Sequence, residues 1–326
     1  MKKRYTLNFV YFNNSGLSGR IFIVILFFMM QSWHIFAQTG FSSLSASSDA
    51  TEPLYYEMLF SVEGANAISA SVRQNIRLFN QEFNTYGTYN ELKSDDPRGN
   101  VPARFRLEVK VQTTQDTRDV KSPNTLTIVC ENTYNYIYRY LSLEGEKRLE
   151  RIEIKRVVDA IEKLGRDDIP TEVGSLFGVG GLAGMLREMK NRYDFNTAPV
   201  KTQIQEKNSA TIVWKIRGRL KPEIVAKLTE DVAGKKHVIP QHTPTAIDIY
   251  VGIEDRFPYR FDYFWTPDGG KSTDEPFAYL VFYNLILHTR SISASTFDYL
   301  PPENIPVDDV TDQVILQIMA TGSTKR

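Results

Sequence analysis

One cysteine, four histidines and no apolar run long enough to cross a bilayer unbroken are what this 326-residue chain has least of. Cys130 has no second cysteine to pair with, so stability must come from core burial, which the length permits. Beyond residue 37 only His237, His242 and His288 remain. The first two share one Pro-flanked loop at a spacing that matches no standard metal-binding helix, so neither a metal nor a cofactor is expected. Neither Gly-x-Ser-x-Gly nor His-Glu-x-x-His occurs, which removes the usual marks of a hydrolase and favours a protein that is not an enzyme, without catalytic residues. Charge of one sign is missing too, with 39 Lys and Arg against 39 Asp and Glu. Without a dense basic block there is no electrostatic footprint for nucleic acid.

The N-terminus carries Lys2, Lys3, Arg4 and Arg20, then Ile21 to Met30 without a polar residue. Gln31, Ser32 and His34 break the run short of the ~20 residues a membrane span needs. Cations, an apolar stretch and a small residue in that order make a signal peptide, cut near Ala37. No cysteine follows to accept a lipid, so the expected product is exported, periplasmic and not a lipoprotein. Its removal leaves 35 cations against 39 anions. The expected organisation is a signal peptide at 1–37, a Ser/Thr/Ala-rich leader at 38–52, one domain at 53–318 and a tail at 319–326.

Within that domain the period is mostly two. Arg104 to Gln112 places Phe105, Leu107, Val109 and Val111 on one face and Arg104, Arg106, Glu108 and Lys110 on the other, as an antiparallel strand with one wet face does. Similar segments are 68–78, 83–91, 126–130, 134–141, 149–154, 211–217, 246–251, 259–264 and 278–288, the last apolar on both faces. Helical spacing appears from Pro53 to about Gly64, at 157–164, at 176–190 and at 222–230. Helices that interrupt a meander rather than alternate with it predict a mainly antiparallel α+β fold, a barrel or strongly curved sheet.

Gly178, Gly180, Gly181 and Gly184 lack the preceding strand and the Lys-Ser/Thr of a phosphate loop. Glycine weakens a helix by about 1 kcal/mol relative to Ala. The segment is therefore expected to be a pliable lid, with Gly180, Gly181, Leu182, Gly184, Met185 and Met189 as its working residues, which Ala at 181 and 184 should stiffen. The acids Asp167, Asp168, Asp308 and Asp309 lie near prolines and fit solvated turns. Aromatic residues stand out more, Tyr134, Tyr136, Tyr138 and Tyr140 on one face of a strand and Tyr259, Phe261 and Tyr263 on one face of another. An ordinary core would use them so; a ligand cavity would as well.

The segment Ser291 to Asp309, containing Phe297-Asp298-Tyr299-Leu300-Pro301-Pro302-Glu303-Asn304, is similar to the closing strand and turn of LolA-like periplasmic lipoprotein carriers, with Asn304 in place of a glycine. Val129 to Tyr138 resembles a hairpin of that family. Ile68 to Gln74, Gly180 to Leu186, Trp214 with Lys221-Pro222-Glu223, and Phe257 to Arg260 resemble a larger secreted subgroup of unassigned function. The likeness runs from Leu54 to Ile315. It implies an unclosed β-barrel of about eleven strands whose open side is covered by helices around an apolar cavity. It also implies an arginine that latches the lid, for which Arg98, Arg104 and Arg106 are the candidates.

The expected function is binding of a lipid or lipoprotein acyl chain as a carrier in outer-membrane biogenesis, with a membrane-bound donor or acceptor protein as a further partner. An envelope sensor or interaction domain using the same cavity is the alternative, and a hydrolase a distant one. Cavity candidates are Leu107, Val109, Tyr136, Tyr138, Trp214, Phe261 and Tyr263. The intact mass of the exported protein should correspond to a chain starting at Gln38; a mass retaining residues 1–37, recovered from membranes, would show an anchor instead.

Overall fold

The computed structural model describes residues 51–78, 81–93, 104–113, 124–131, 136–143, 146–163, 181–206, 209–230, 243–265, 275–290 and 292–322. The signal segment, most of the leader, Arg98, Tyr134, Asp167, Asp168, Gly178, Gly180, His237 and His242 lie outside these residues. The chain runs α1 (Thr51–Gly64), β1 (Ala67–Leu78), β2 (Gln81–Leu92), β3 (Arg104–Thr113), β4 (Asn124–Glu131), β5 (Tyr136–Leu143), β6 (Glu146–Glu153), α2 (Ile154–Lys163) and α3 (Gly181–Arg192). It continues with β7 (Tyr193–Asp194), β8 (Val200–Glu206), β9 (Ser209–Leu220), α4 (Pro222–Glu230), β10 (Ala246–Gly252), β11 (Pro258–Phe264), β12 (Ala278–His288), a short 3-10 turn (Ala294–Phe297), β13 (Val307–Asp309) and α5 (Thr311–Gly322).

All strands join one sheet in the order β13-β6-β5-β4-β3-β2-β1-β12-β11-β10-β9-β7, with β8 also on β9. Every pairing is antiparallel except β13 on β6. Among the described residues the two ends of this path do not pair, so the barrel is unclosed, as the alternation and the resemblance led us to expect. β7, β8, β13 and α5 were not foreseen. α5 carries the folded region through Gly322, past the expected boundary at 318, and α1 takes Thr51 and Glu52 from the expected leader.

Register fixes which side chains share a face. Ile68 stands opposite Glu91, Glu91 opposite Phe105, and Ile137 opposite Ile152, all in one row across the sheet. This inner face packs beneath Leu54, Tyr55, Met58 and Val62 of α1, Val157 of α2, Leu182, Leu186 and Met189 of α3, Ile224 of α4 and Val314 of α5, in one core. The odd pattern of β12 now has a cause. Between Ser69 and Ser71 the register steps from Ile286 to Tyr283, and Asn284 takes φ +51. A bulge of this kind adds one residue to one strand and exchanges its faces. Leu280 and Phe282 thus face inward before it, Leu285 and Leu287 after it, while Ile286 is turned out and 55% exposed. At Asn304 φ is +69, the left-handed region expected for a residue replacing glycine.

The outer face is charged and paired. Arg217 holds Asp248 through Nε (2.5 Å) and Nη2 (2.8 Å), and Arg260 Nε lies 2.6 Å from Asp262. Arg106 projects to this side and donates through Nη1 to the carbonyls of Thr296 (3.1 Å) and Asp298 (3.2 Å), tying the segment after β12 across β3.

Truncating Phe261, which is fully buried on the inner face, should cost about 3–5 kcal/mol in urea unfolding, whereas Ile286→Ala should cost under about 1 kcal/mol. Equal costs would overturn the face assignment across the bulge.

Candidate functional site

The cover over the inner face has two helices in mutual contact. In α1, Leu54, Tyr55, Met58 and Val62 recur at helical spacing and are buried. In α3, Leu182, Leu186 and Met189 do the same, with Met185 partly buried against the core. Tyr55 joins the pair. Its hydroxyl donates to the Leu186 carbonyl at 2.5 Å, its ring lies 4.6 Å from that of Phe195, and burial pushes its ionisation well above the ordinary tyrosine range. Arg187 to Glu63 (2.5 Å) and Lys190 to Glu52 (3.1 Å) bridge the same two helices at the surface, where such pairs contribute about 0–1 kcal/mol each.

In the same core Val109, Phe261 and Tyr263 are buried, and Leu107 and Trp214 pack against it from partly buried positions. Tyr136 and Tyr138 are a correction. They face outward, because Ile137, opposite Ile152, is the residue of β5 that enters the core. Arg151 lies over the Tyr136 ring at 4.9 Å, and Tyr299 packs 5.2 Å from Tyr138. Aromatic size suggested the inner face; the phase of the strand assigns the opposite one.

The inner face also holds polar groups that the alternation had hidden. Arg139, in phase with Ile137, reaches Glu150 at 2.7 Å, and Arg148 reaches the same carboxylate at 2.7 Å. Burial pulls Arg139 below the usual guanidinium range. Glu91, in phase with Phe83 and Tyr89, is 6% exposed. Its Oε2 accepts from the Tyr89 hydroxyl (2.5 Å) and from the Leu182 backbone N–H (3.0 Å), so it caps the start of α3. A carboxylate in an apolar strand phase was the available signal. Arg104 and Arg106 share the outer phase of β3, so neither holds the helix.

The other sequence candidates have structural duties. Asp309 binds Arg151 (2.8 Å) and accepts the Thr311 N–H (3.1 Å); burial opposes its ionisation, but these bonds prevail and hold it at about 2. Asp308 lies 3.7 Å from Arg148, and His288 Nε2 is 3.0 Å from the Ser69 hydroxyl. Among the described residues no cluster of His, Cys, Asp and Glu is placed to hold a metal, and no helix is long and apolar enough to cross a membrane.

No protein-family model and no curated protein matches the sequence. Solved structures similar to the chain include a DUF1329 family protein from Desulfovibrio piger, at 10% identity and TM-score 0.33, over 77% of this chain and 98% of that one. MucB is similar at 8% identity and TM-score 0.33, over 78% of this chain and 64% of that one. A LolA superfamily protein from Nitrosomonas europaea is similar at 8% identity and TM-score 0.25, over 76% and 97%. The LolA-like resemblance read from the sequence recurs among these structures, and at such TM-scores they carry no argument about what the chain binds.

Gly181 reverses one expectation. It adopts φ +58, and a Cβ there would stand 2.2 Å from Glu91 Oε1. Gly181→Ala should therefore loosen α3 rather than stiffen it, with faster amide exchange at Leu182 and Ala183 and a loss of about 1 kcal/mol or more. Slower exchange in that variant would show that the helix start relaxes freely.

Proposed function

We propose that this chain is an exported, periplasmic binding protein that holds an acyl chain of a lipid or lipoprotein between the inner face of its unclosed sheet and the α1–α3 cover, as a carrier and not as an enzyme. The observation that carries the reading is the make-up of that boundary. Val109, Phe261 and Tyr263 of the sheet and Leu182 and Met189 of α3 belong to one buried apolar core, with Trp214 and Met185 packed against it. The bonds with direction that join cover to sheet sit at its margins, Glu91 to Leu182 at the start of α3, and Ser61 to the Asp255 carbonyl and Arg256 to Glu57 along α1. Apolar contact is non-directional, and each buried methylene contributes about 0.8 kcal/mol, so an acyl chain can compete with α3 for the same surface. Met185 and Met189 suit such exchange, since an unbranched thioether side chain adapts to changing neighbours. The cover would then have a closed and an opened arrangement, and ligand would shift the population between them.

A second reading, an interaction domain for a membrane-bound partner, is favoured by Tyr56 and Phe60, which are 40% and 67% exposed on the outside of α1. The two readings share the cover, because a partner seated on α1 would act on α3 through Tyr55.

Trp214 offers a direct test. In a Trp265→Phe background, bromostearate should quench Trp214 fluorescence saturably, and amide exchange in α3 should change at the same ligand concentrations. Absence of both quenching and any saturable binding of a long-chain probe would remove the carrier reading.

A further inference from the structure

Glu91 occupies a position that an apolar side chain would fill at no electrostatic cost. It lies on β2 between Ile68 of β1 and Phe105 of β3, both buried, and beneath the first turn of α3. Among the described residues no cation touches it. Among those residues, the ionisable groups that face it are Tyr89 on its own strand and, from α3, Arg187, whose guanidinium is turned to the surface and paired with Glu63 of α1. β1 and β3 present only neutral side chains to it. An isolated buried carboxylate favours the protonated form, and here burial raises its pKa while the Leu182 N–H, the Tyr89 hydroxyl and the more distant Arg187 draw it down without prevailing. The geometry accommodates the proton. Both donors converge on Oε2, so Oε1 can carry a hydrogen while each donated bond persists. Gly181 is the matching half, since its left-handed backbone and missing Cβ let α3 begin directly against this oxygen.

We propose that Glu91 is a protonation-controlled clasp on α3: the neutral acid holds the helix start against the sheet, and ionisation releases it. This rests on the reading of α3 as a movable cover and names what controls the movement. The sign follows from linkage. With α3 lifted, Glu91 meets water and titrates near the ordinary value of about 4.3; with α3 closed, it holds its proton to higher pH. Closure is therefore fully favoured below the ordinary value and weakens as pH rises through the closed-state value. Each unit between the two values changes the closed-to-open ratio about tenfold. An acidic periplasm or membrane surface would keep the cover shut, and neutral surroundings would ready it for exchange.

The test is amide hydrogen exchange of Leu182, Ala183 and Leu186 in the purified protein across the range from mildly acidic to mildly alkaline pH, corrected for intrinsic rates, with Ile247 and Ile249 of β10 as reference amides. Protection of α3 should fall as pH rises while the β10 amides stay constant. Glu91→Gln, which keeps an acceptor and cannot ionise, should hold α3 at its acid-side protection at every pH. Tyr89→Phe serves as a second variant should the first fail to fold; losing a donor to the carboxylate, it should shift the transition to higher pH. Carboxyl carbon-13 chemical shifts give the Glu91 midpoint directly in the wild type. A pH-independent α3, or an unchanged transition in either folded variant, would overturn the clasp. The two proposals fail separately: pH-dependent protection without bromostearate binding would sink the carrier and spare the clasp, and the converse would sink the clasp alone.

Discussion

A sheet that does not close leaves one apolar face that its own strands cannot shield from water. Everything else in the fold answers that constraint. The inner side chains of β1 to β6 and β9 to β12 form one core only because α1, α2, α3, α4 and α5 each contribute to it. A face sealed by helices differs physically from one sealed by its own strands. Strand pairing is a ladder of backbone bonds, whereas a helix on a sheet is held by side chains and by whatever polar contacts cross the boundary.

Those polar contacts fasten each helix in a different way. At the far edge, β13 runs parallel to β6, the Thr311 hydroxyl accepts the Glu153 N–H at 2.9 Å, and Asp309 caps the start of α5. α5 is in this way fastened by neighbours in its own chain segment. The start of α3 is capped by Glu91, a residue from another part of the sequence. An ionised cap at Asp309, beside Arg151 and near solvent, and a buried acid at Glu91, without a paired cation among the described residues, are two answers to the same need for acceptors at a helix N-terminus. The first is steady across ordinary pH. The second changes state with its surroundings.

The outer face resolves a different conflict. Asp248 and Asp262 stand directly opposite each other on β10 and β11, a pairing that is unfavourable when unscreened. Arg217 and Arg260 each take one of them, and Tyr250 donates to Asp262 at 2.9 Å, so the like charges are separated into two satisfied pairs. Burial still holds Asp262 above the usual carboxylate range despite Arg260, which marks how little water reaches this surface.

The sequence by itself determined most of the strands, most of the helices and the antiparallel class, because period two and period 3.6 are local properties that need no partner. It was enough to place Val109 and Phe261 inside and to give Asn304 its left-handed backbone. Tertiary structure decided what local periodicity leaves open. Which of two faces a Tyr-rich strand turns inward depends on its neighbours' phase, so Tyr136 and Tyr138 went outward and Arg139 inward. A bulge at Asn284 exchanged the faces of β12 partway along, a change visible only in its register against β1. The partner of a buried acid is likewise invisible along the chain: Glu91 and Leu182 are 91 residues apart, and only the folding of α3 onto β2 makes one the cap of the other.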